Sequence, residues 1–220
     1  MIRGFAVWIL CSLLMMPLVA NASRVAFNAE LGTPVIQANQ VQTTFVKISL
    51  TGFEIERRQR TSVNIALVLD QSGSMSGEKI ARAKDAAMRV IDYLGPNDTV
   101  SVVTYDDTVS VVVPSTRVTD KEMVKNRIRA IHAGGSTALF AGVVKGSDEV
   151  RKFFARQRVN RVILLSDGLA NVGPSSTHEL GELGMSLGRD AISVTTIGLG
   201  LGYNEDLMTQ LASYSDGNHA

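Results

Sequence analysis

A carboxylate and two hydroxyls stand close together in the stretch LVLDQSGSMSG, residues 67–77. Asp70 ends an apolar run, and Ser72 and Ser74 follow it at alternate positions. Oxygen groups of this kind suit hard cations such as Mg²⁺. An Asp followed by Ser and Gly is also typical of a helix N-cap. A metal site differs from a cap in needing further oxygen ligands at the same place.

Two later motifs can supply those ligands. Asp167 ends a second apolar run, RVILLSD, and Thr137 lies in the glycine-rich stretch AGGST ahead of a helical pattern. Ligands of open α/β sheets bind beyond the carboxyl ends of the strands, so both motifs are expected at one edge. Their recurrence favours a metal site over a cap. The residues expected to converge are Asp70, Ser72, Ser74, Thr137 and Asp167.

The hydrophobic pattern predicts an α/β fold with a doubly wound, mostly parallel sheet flanked by helices. VNIALVLD is a continuous apolar run, as in a strand that is buried on both faces. Strands and helices then alternate, which indicates crossover connections. TVSVVTY and TVSVVVP, joined by Asp106-Asp107, are expected to form an antiparallel hairpin, with both acids at the surface. Helices are predicted over 78–94, 121–131, 138–156, 178–189 and 204–214.

The first residues have the layout of a secretory signal peptide. Residues 1–22 contain an early arginine, an apolar stretch and the ending Ala20-Asn21-Ala22, which predicts cleavage after Ala22. An uncleaved membrane anchor is the alternative. We expect an exported protein, periplasmic or extracellular, with no membrane-spanning segment after the signal. A short β-rich segment and linker over 23–60 and an α/β domain over 61–220 are expected to follow.

Composition excludes several classes of function. The formal net charge is +1, so a dedicated nucleic-acid surface is not expected. The single cysteine, Cys11, lies within the expected signal peptide. The mature chain therefore has no disulfide, thiolate metal site or cysteine nucleophile.

The three motifs also resemble a known family. DQSGSM is similar to the Asp-x-Ser-x-Ser signature of von Willebrand factor A domains, GGST to their threonine loop, and LLSDG to their second aspartate. The flanking sequence resembles an exported bacterial branch, which is similar to inter-alpha-trypsin inhibitor heavy chains and to proteins named after calcium-activated chloride channels. The resemblance implies a metal-ion-dependent adhesion site that binds Mg²⁺, with Mn²⁺ or Ca²⁺ as alternatives.

By the same resemblance, Ser72, Ser74 and Thr137 would bind the metal directly, and Asp70 and Asp167 directly or through water. A partner protein would contribute an Asp or Glu to the ion. The family's last strand normally begins near Gly217 and a closing helix follows, so we expect the domain to be truncated at its C-terminus. We infer no affinity switch.

Enzyme motifs fit the chain poorly, and we expect no catalytic residues. The glycine and serine spacing around Met75 does not match a nucleophile elbow, and no phosphate-loop or dinucleotide spacing is present. A magnesium-dependent phosphatase or phosphotransferase that uses Asp70 stays open as an alternative. A purely structural metal site is the third hypothesis.

Overall fold

The structure is a computed structural model that divides into two compact units, one up to Arg58 and one from Gln59. The expected signal peptide and most of the linker before Arg60 lie outside the described residues. The described residues are 25–32, 41, 43–52, 60–200 and 202–220.

The first unit contains an antiparallel pair of strands, β1 (Val25–Leu31) and β2 (Val46–Gly52). Phe27 lies opposite Leu50, and both side chains are exposed on an apolar face of the pair. Two strands alone are marginally stable in water. The expected β-rich segment is therefore present as this strand pair.

The second unit is built on a five-stranded sheet in the order β5-β4-β3-β6-β7. All neighbours are parallel except β4 and β5, which form the predicted antiparallel hairpin. The predicted mostly parallel sheet is confirmed. The strands are β3 (Val63–Asp70), β4 (Thr99–Tyr105), β5 (Val109–Arg117), β6 (Val159–Ser166) and β7 (Ser193–Gly198).

Helices cover both faces of this sheet. Leu67 and Leu69 of β3 belong to a core with α1 and α2, whereas Val68 belongs to a second core with α3, α4 and α5. Alternate side chains of a strand point to opposite faces, so β3 has to be apolar throughout. The doubly wound arrangement is confirmed. The helices are α1 (Glu78–Tyr93), α2 (Lys121–Arg129), α3 (Leu139–Arg151), α4 (Thr177–Arg189) and α5 (Glu205–Tyr214).

Helix α3 is shorter than predicted. The apolar pattern on which the prediction rests continues beyond the end of the helix, into turns. It ends at Arg151, and Phe153 and Phe154 donate backbone hydrogen bonds three residues back, to Val150 and Arg151. Such bonds tighten the end of a helix. In α4, Ser176 and Glu179 form a capping box that begins the helix at Thr177.

The last residues of the chain lie alongside β7. His219 forms a parallel bridge with Thr196, whose N–H donates to Asn218 O at 2.9 Å. The His219 ring contacts the Thr196 hydroxyl and the Tyr203 hydroxyl. This histidine therefore has a structural place in the packing of the sheet edge.

A glycine lets α3 approach the sheet closely. A methyl group built on Gly146 would lie 2.4 Å from Val68 Cγ2 and 3.6 Å from Ala66 Cβ. Val68 is a stiff β-branched residue in the central strand, so it cannot turn aside at low cost. The missing side chain at Gly146 therefore sets the distance between α3 and β3.

We predict that Gly146→Ala lowers the free energy of unfolding by about 1–3 kcal/mol, because overpacking outweighs the better helix propensity of alanine. Denaturant unfolding followed by circular dichroism measures the change. Gly202→Ala is the control, since a methyl group there meets no atom within 4 Å. Equal stability of the two variants would contradict this account of the packing.

At the end of the sheet where β3 and β4 begin, Asp98 joins the start of β3 to the turn before β4. It is buried, accepts hydrogen bonds from the N–H groups of Gly95 and Val63, and pairs with Arg60. Burial alone acts to raise the pKa of Asp98. These donors outweigh it and hold the pKa below the ordinary value of 3.8.

A depressed folded-state pKa stabilises the protein above the unfolded value and loses that contribution as the pH falls through the folded pKa. We therefore predict that wild type is more stable than Asp98→Asn at pH 7, and that the difference shrinks below about pH 4. Urea unfolding at pH 7 and pH 3 measures it. A difference that is the same at both values would contradict the role of the Asp98 charge.

Candidate metal site

The register of three neighbouring strands brings the predicted acids to one edge. Asp70 ends β3 directly beside Tyr105, the last residue of β4. On the other side Leu69 pairs with Leu165, so Ser166 and Asp167 follow at the same level. The carboxyl ends of β3, β4 and β6 therefore meet there, as expected of parallel strands.

Asp70 is fully buried and fixed by three donors. Its Oδ1 accepts from the Ser72 N–H at 2.8 Å, and its Oδ2 accepts from the Ser166 hydroxyl at 2.6 Å and the Tyr105 hydroxyl at 3.1 Å. Burial raises the pKa of Asp70 above its ordinary value of 3.8. Hydrogen bonds from Ser166 and Ser72 oppose that shift, and the charge of Asp167 adds to it.

Tyr105 is also fully buried, and burial raises its pKa well above the ordinary value. Its hydroxyl therefore stays protonated and keeps donating to Asp70. A methyl group on Gly142 of α3 would lie 2.4 Å from the Tyr105 ring, so that glycine makes room for the ring. The packing of α3 thus contributes to the orientation of Asp70.

The two serines lie on a tight turn after β3. A short 3₁₀ helix covers Gly73–Met75, and the hydroxyls of Ser72 and Ser74 are 3.1 Å apart. Ser72 is buried, whereas Ser74 is exposed. The residue before α1 is Gly77, with no side-chain cap, so Asp70 is not the N-cap of that helix.

Backbone hydrogen bonds join the serine turn to the threonine loop. The Gly73 N–H donates to Gly135 O at 2.9 Å, and the Gly134 N–H donates to Gln71 O at 2.7 Å. Gly135 has φ +76°, which favours glycine at this crossing. The turn that carries both serines and the loop that carries Thr137 are therefore adjacent.

Thr137 is held from the loop after β6. Its N–H donates to Asn171 Oδ1 at 2.8 Å, and its carbonyl accepts from the N–H groups of Asn171 and Val172. Only 2% of Thr137 is exposed. All three predicted motifs are thus connected at one edge.

The acidic pair of the β4–β5 hairpin also supports the threonine loop. Asp107 accepts from the Ser136 N–H at 3.0 Å, and Asp106 accepts from the Gln71 side chain at 2.7 Å. The Asp106 carbonyl accepts from the Ala138 N–H. Both acids are predicted at the surface, and Asp107 is exposed, but together they also position the loop.

Asp167 pairs with a lysine that the sequence did not single out. The Asp167 side chain is fully buried, and its Oδ2 accepts from Lys79 Nζ at 2.9 Å. Lys79 lies in the first turn of α1, just beyond the serine turn. The site therefore contains a cation of its own.

The donor set fits a hard divalent cation. Within the described part of the chain no three His, Cys, Asp or Glu side chains gather as a metal-binding group. The other candidate oxygen ligands at this edge are the hydroxyls of Ser72, Ser74 and Thr137. Each carboxylate oxygen can accept two hydrogen bonds. Oδ1 of Asp70 accepts one, which leaves a position for a metal ion or its water.

Comparison with other proteins places the chain in a family. A protein of Synechocystis sp., sll0103, is 28% identical over 87% of this chain and 43% of its own length. Mouse inter-alpha-trypsin inhibitor heavy chain H3 is 27% identical over 70% of this chain and 18% of its own length. The chain thus spans less than half the length of these relatives.

Solved structures share the fold. A von Willebrand factor type A protein from Catenulispora acidiphila has a TM-score of 0.63 and 20% identity, covering 91% of this chain and 46% of its own. An aerotolerance-related membrane protein from Bacteroides fragilis has a TM-score of 0.61 and 19% identity, covering 72% and 90%. The sequence model of the von Willebrand factor type A domain matches residues 64–220, and the chain belongs to this family.

Proposed function

We propose that this chain is a non-catalytic protein-binding module that depends on a divalent cation. The ion is Mg²⁺, with Mn²⁺ or Ca²⁺ as alternatives, and the partner contributes an Asp or Glu carboxylate. The observation that carries the proposal is the junction of the serine turn, the threonine loop and two buried carboxylates at one edge of the sheet.

The roles follow from the chemistry of the oxygens. Ser72, Ser74 and Thr137 would bind the ion directly, and Asp70 and Asp167 directly or through water. Hydroxyls add ligands without adding negative charge, and Mg²⁺ prefers six oxygen ligands. A bound ion would supply positive charge and one exchangeable position, for which a carboxylate is the matching protein group.

Exposure differs across the site in a way that suits an external ligand. Ser74 and the glycines beside it are exposed, whereas Asp70 and Asp167 lie beneath them at 0%. A partner can therefore reach the site from the side of Ser74, whereas Ser72, Thr137 and the two acids are buried. This arrangement supports capture of a partner more than a closed structural site.

The geometry favours binding over phosphoryl transfer. The structure does place Lys79 next to an acid, as a phosphatase could use it. Asp70, the nucleophile of that alternative, is fully buried with both oxygens hydrogen-bonded. A nucleophile has to reach its substrate, and this carboxylate is covered.

We also propose that the mature protein acts outside the cytoplasm, after cleavage of the leader at Ala22. The Bacteroides fragilis neighbour is described as a membrane protein. No helix in the described residues of this chain is long and apolar enough to cross a membrane. Mass spectrometry of the protein purified from an envelope fraction tests the cleavage site.

We predict that Thr137→Ala lowers the Mg²⁺ affinity by at least about tenfold, because a ligand is lost while the backbone contacts of the loop are kept. Isothermal titration calorimetry measures the affinity. Ser136→Ala is the matched control, because the Ser136 contact to Asp107 uses its backbone N–H. Equal Mg²⁺ affinity of Thr137→Ala and wild type would contradict the site.

The partner is tested with the same variants, immobilised and exposed to envelope extract in Mg²⁺ or in chelator. We expect a protein that is retained by wild type and Ser136→Ala in Mg²⁺ only, and lost with Thr137→Ala. Moderate salt should not release it, because a coordination bond is screened less than surface charge. Retention that is equal in chelator would contradict metal-dependent capture; Mg²⁺ binding without any captured protein would favour the structural site.

We predict that Tyr105→Phe also weakens Mg²⁺ binding, by about tenfold, because Asp70 loses a donor that orients it. The metal-free protein should lose about 1.5–3 kcal/mol of stability, as expected for a buried hydrogen bond to a charged group. Tyr93→Phe is the control, since Tyr93 is 86% exposed. Calorimetry and urea unfolding in chelator measure the two effects, and the absence of both would contradict the role of Tyr105.

A further inference from the structure

Lys79 occupies a position that couples it to the metal site. Its Nζ lies 2.9 Å from Asp167 Oδ2, and its side chain is 33% exposed, while that of Asp167 is fully buried. The pair spans 88 positions of sequence, from the first turn of α1 to the end of β6. It is therefore a tertiary contact that connects α1 to the carboxyl edge of the sheet.

The stem of Lys79 is held as well as its charge. A methyl group on Gly200, which has φ +95°, would lie 2.8 Å from Lys79 Cε. Leu199 and Gly200 line a cleft together with Glu78, Lys79 and Arg82. The loop after β7 thus packs against the lysine stem and limits the positions of its ammonium group.

Charges at this edge are not balanced without Lys79. Asp70 and Asp167 are both buried, at the carboxyl ends of the adjacent strands β3 and β6. Asp70 has hydrogen-bond donors, but the described ion pairs give it no cation. Two further acids at this edge, Asp106 and Asp107, add negative charge and no cation. Glu78 and Arg82 pair with each other at 2.6 Å and are exposed, so they contribute little at the buried acids.

We propose that Lys79 is a built-in counter-ion of the metal site, which neutralises Asp167 when no divalent cation is bound and lowers the affinity of the site for that cation. The proposal rests on the metal site of the proposed function and adds a residue that sets its strength. Lys79 and a divalent cation carry like charge and compete for the same carboxylate. Because the contact is partly buried, solvent screens this competition less than it would at the surface.

Two measurable consequences have opposite signs. Without the ammonium group, two buried carboxylates are left without a cation, so the protein in chelator should be less stable. The same loss removes repulsion between Lys79 and a divalent cation, so the Mg²⁺ affinity should rise. A lysine that only packed in the fold would lower stability without raising metal affinity.

The experiment compares wild type with Lys79→Met, which keeps an unbranched apolar stem, and Lys79→Arg, which keeps the charge. Arg89→Met is the control, because it removes one positive charge from an exposed position of the same helix. Calorimetry with MgCl₂ gives the affinity, and thermal unfolding gives the stability in chelator and in Mg²⁺.

We expect Lys79→Met to bind Mg²⁺ roughly tenfold or more tightly than wild type. It should melt lower in chelator, and Mg²⁺ should raise its melting temperature more than that of wild type. Lys79→Arg and Arg89→Met should stay close to wild type in affinity. Lys79→Met that binds Mg²⁺ as wild type does, or more weakly, would overturn the proposal.

The failure of the proposed function looks different. If wild type and all variants bind no Mg²⁺, Mn²⁺ or Ca²⁺, the metal site itself is wrong and the effect of Lys79 on affinity is overturned with it. If wild type binds the ion and Lys79→Met binds it with the same affinity, the metal site stands and the counter-ion is rejected. Unchanged stability of Lys79→Met in chelator would likewise reject the counter-ion.

Discussion

The placement of a buried carboxylate at the end of the central strand organises this domain. Asp70 is fully buried, and a charge there is tolerated only where donors surround it. Its donors come from the turn that follows β3, from Tyr105 of β4 and from Ser166 of β6. Three neighbouring segments therefore have to keep their register for this one side chain. A slip of one residue would turn Asp70 to the opposite face of the sheet.

The helices on one face maintain that register. Gly146 lets α3 lie against Val68, and Gly142 on the same helix makes room for the Tyr105 ring. Glycine lowers the helix propensity at both positions, but its missing side chain allows the close approach. The side chain that orients Asp70 is thus fixed by the packing of a helix, and the site is an extension of the core.

Sequence patterns predicted the layers, the mostly parallel sheet and the placement of the acid, serine and threonine motifs at one edge, because periodicity marks the strands and ligands of such sheets bind beyond the carboxyl ends of the strands. Helix α3 was predicted too long, since hydrophobic spacing continues after Arg151 where the backbone turns. Lys79 was not found, because its partner is 88 positions away and nothing local marks it. Tyr105 and Ser166 could have been found: one ends a predicted strand, and the other precedes Asp167.

The charges of the site connect its stability to its binding. Asp70 and Asp167 contribute two negative charges and Lys79 contributes one positive charge. The net negative charge of these three side chains is therefore too small to balance a divalent cation. On the proposed function, a partner carboxylate supplies the missing negative charge. The bound ion would then raise the affinity for the partner, and the bound partner would raise the affinity for the ion by the same factor, because the two share one coordination sphere. On the proposed function, weak ion binding by the domain alone would make the complete complex depend on both the ion and the partner.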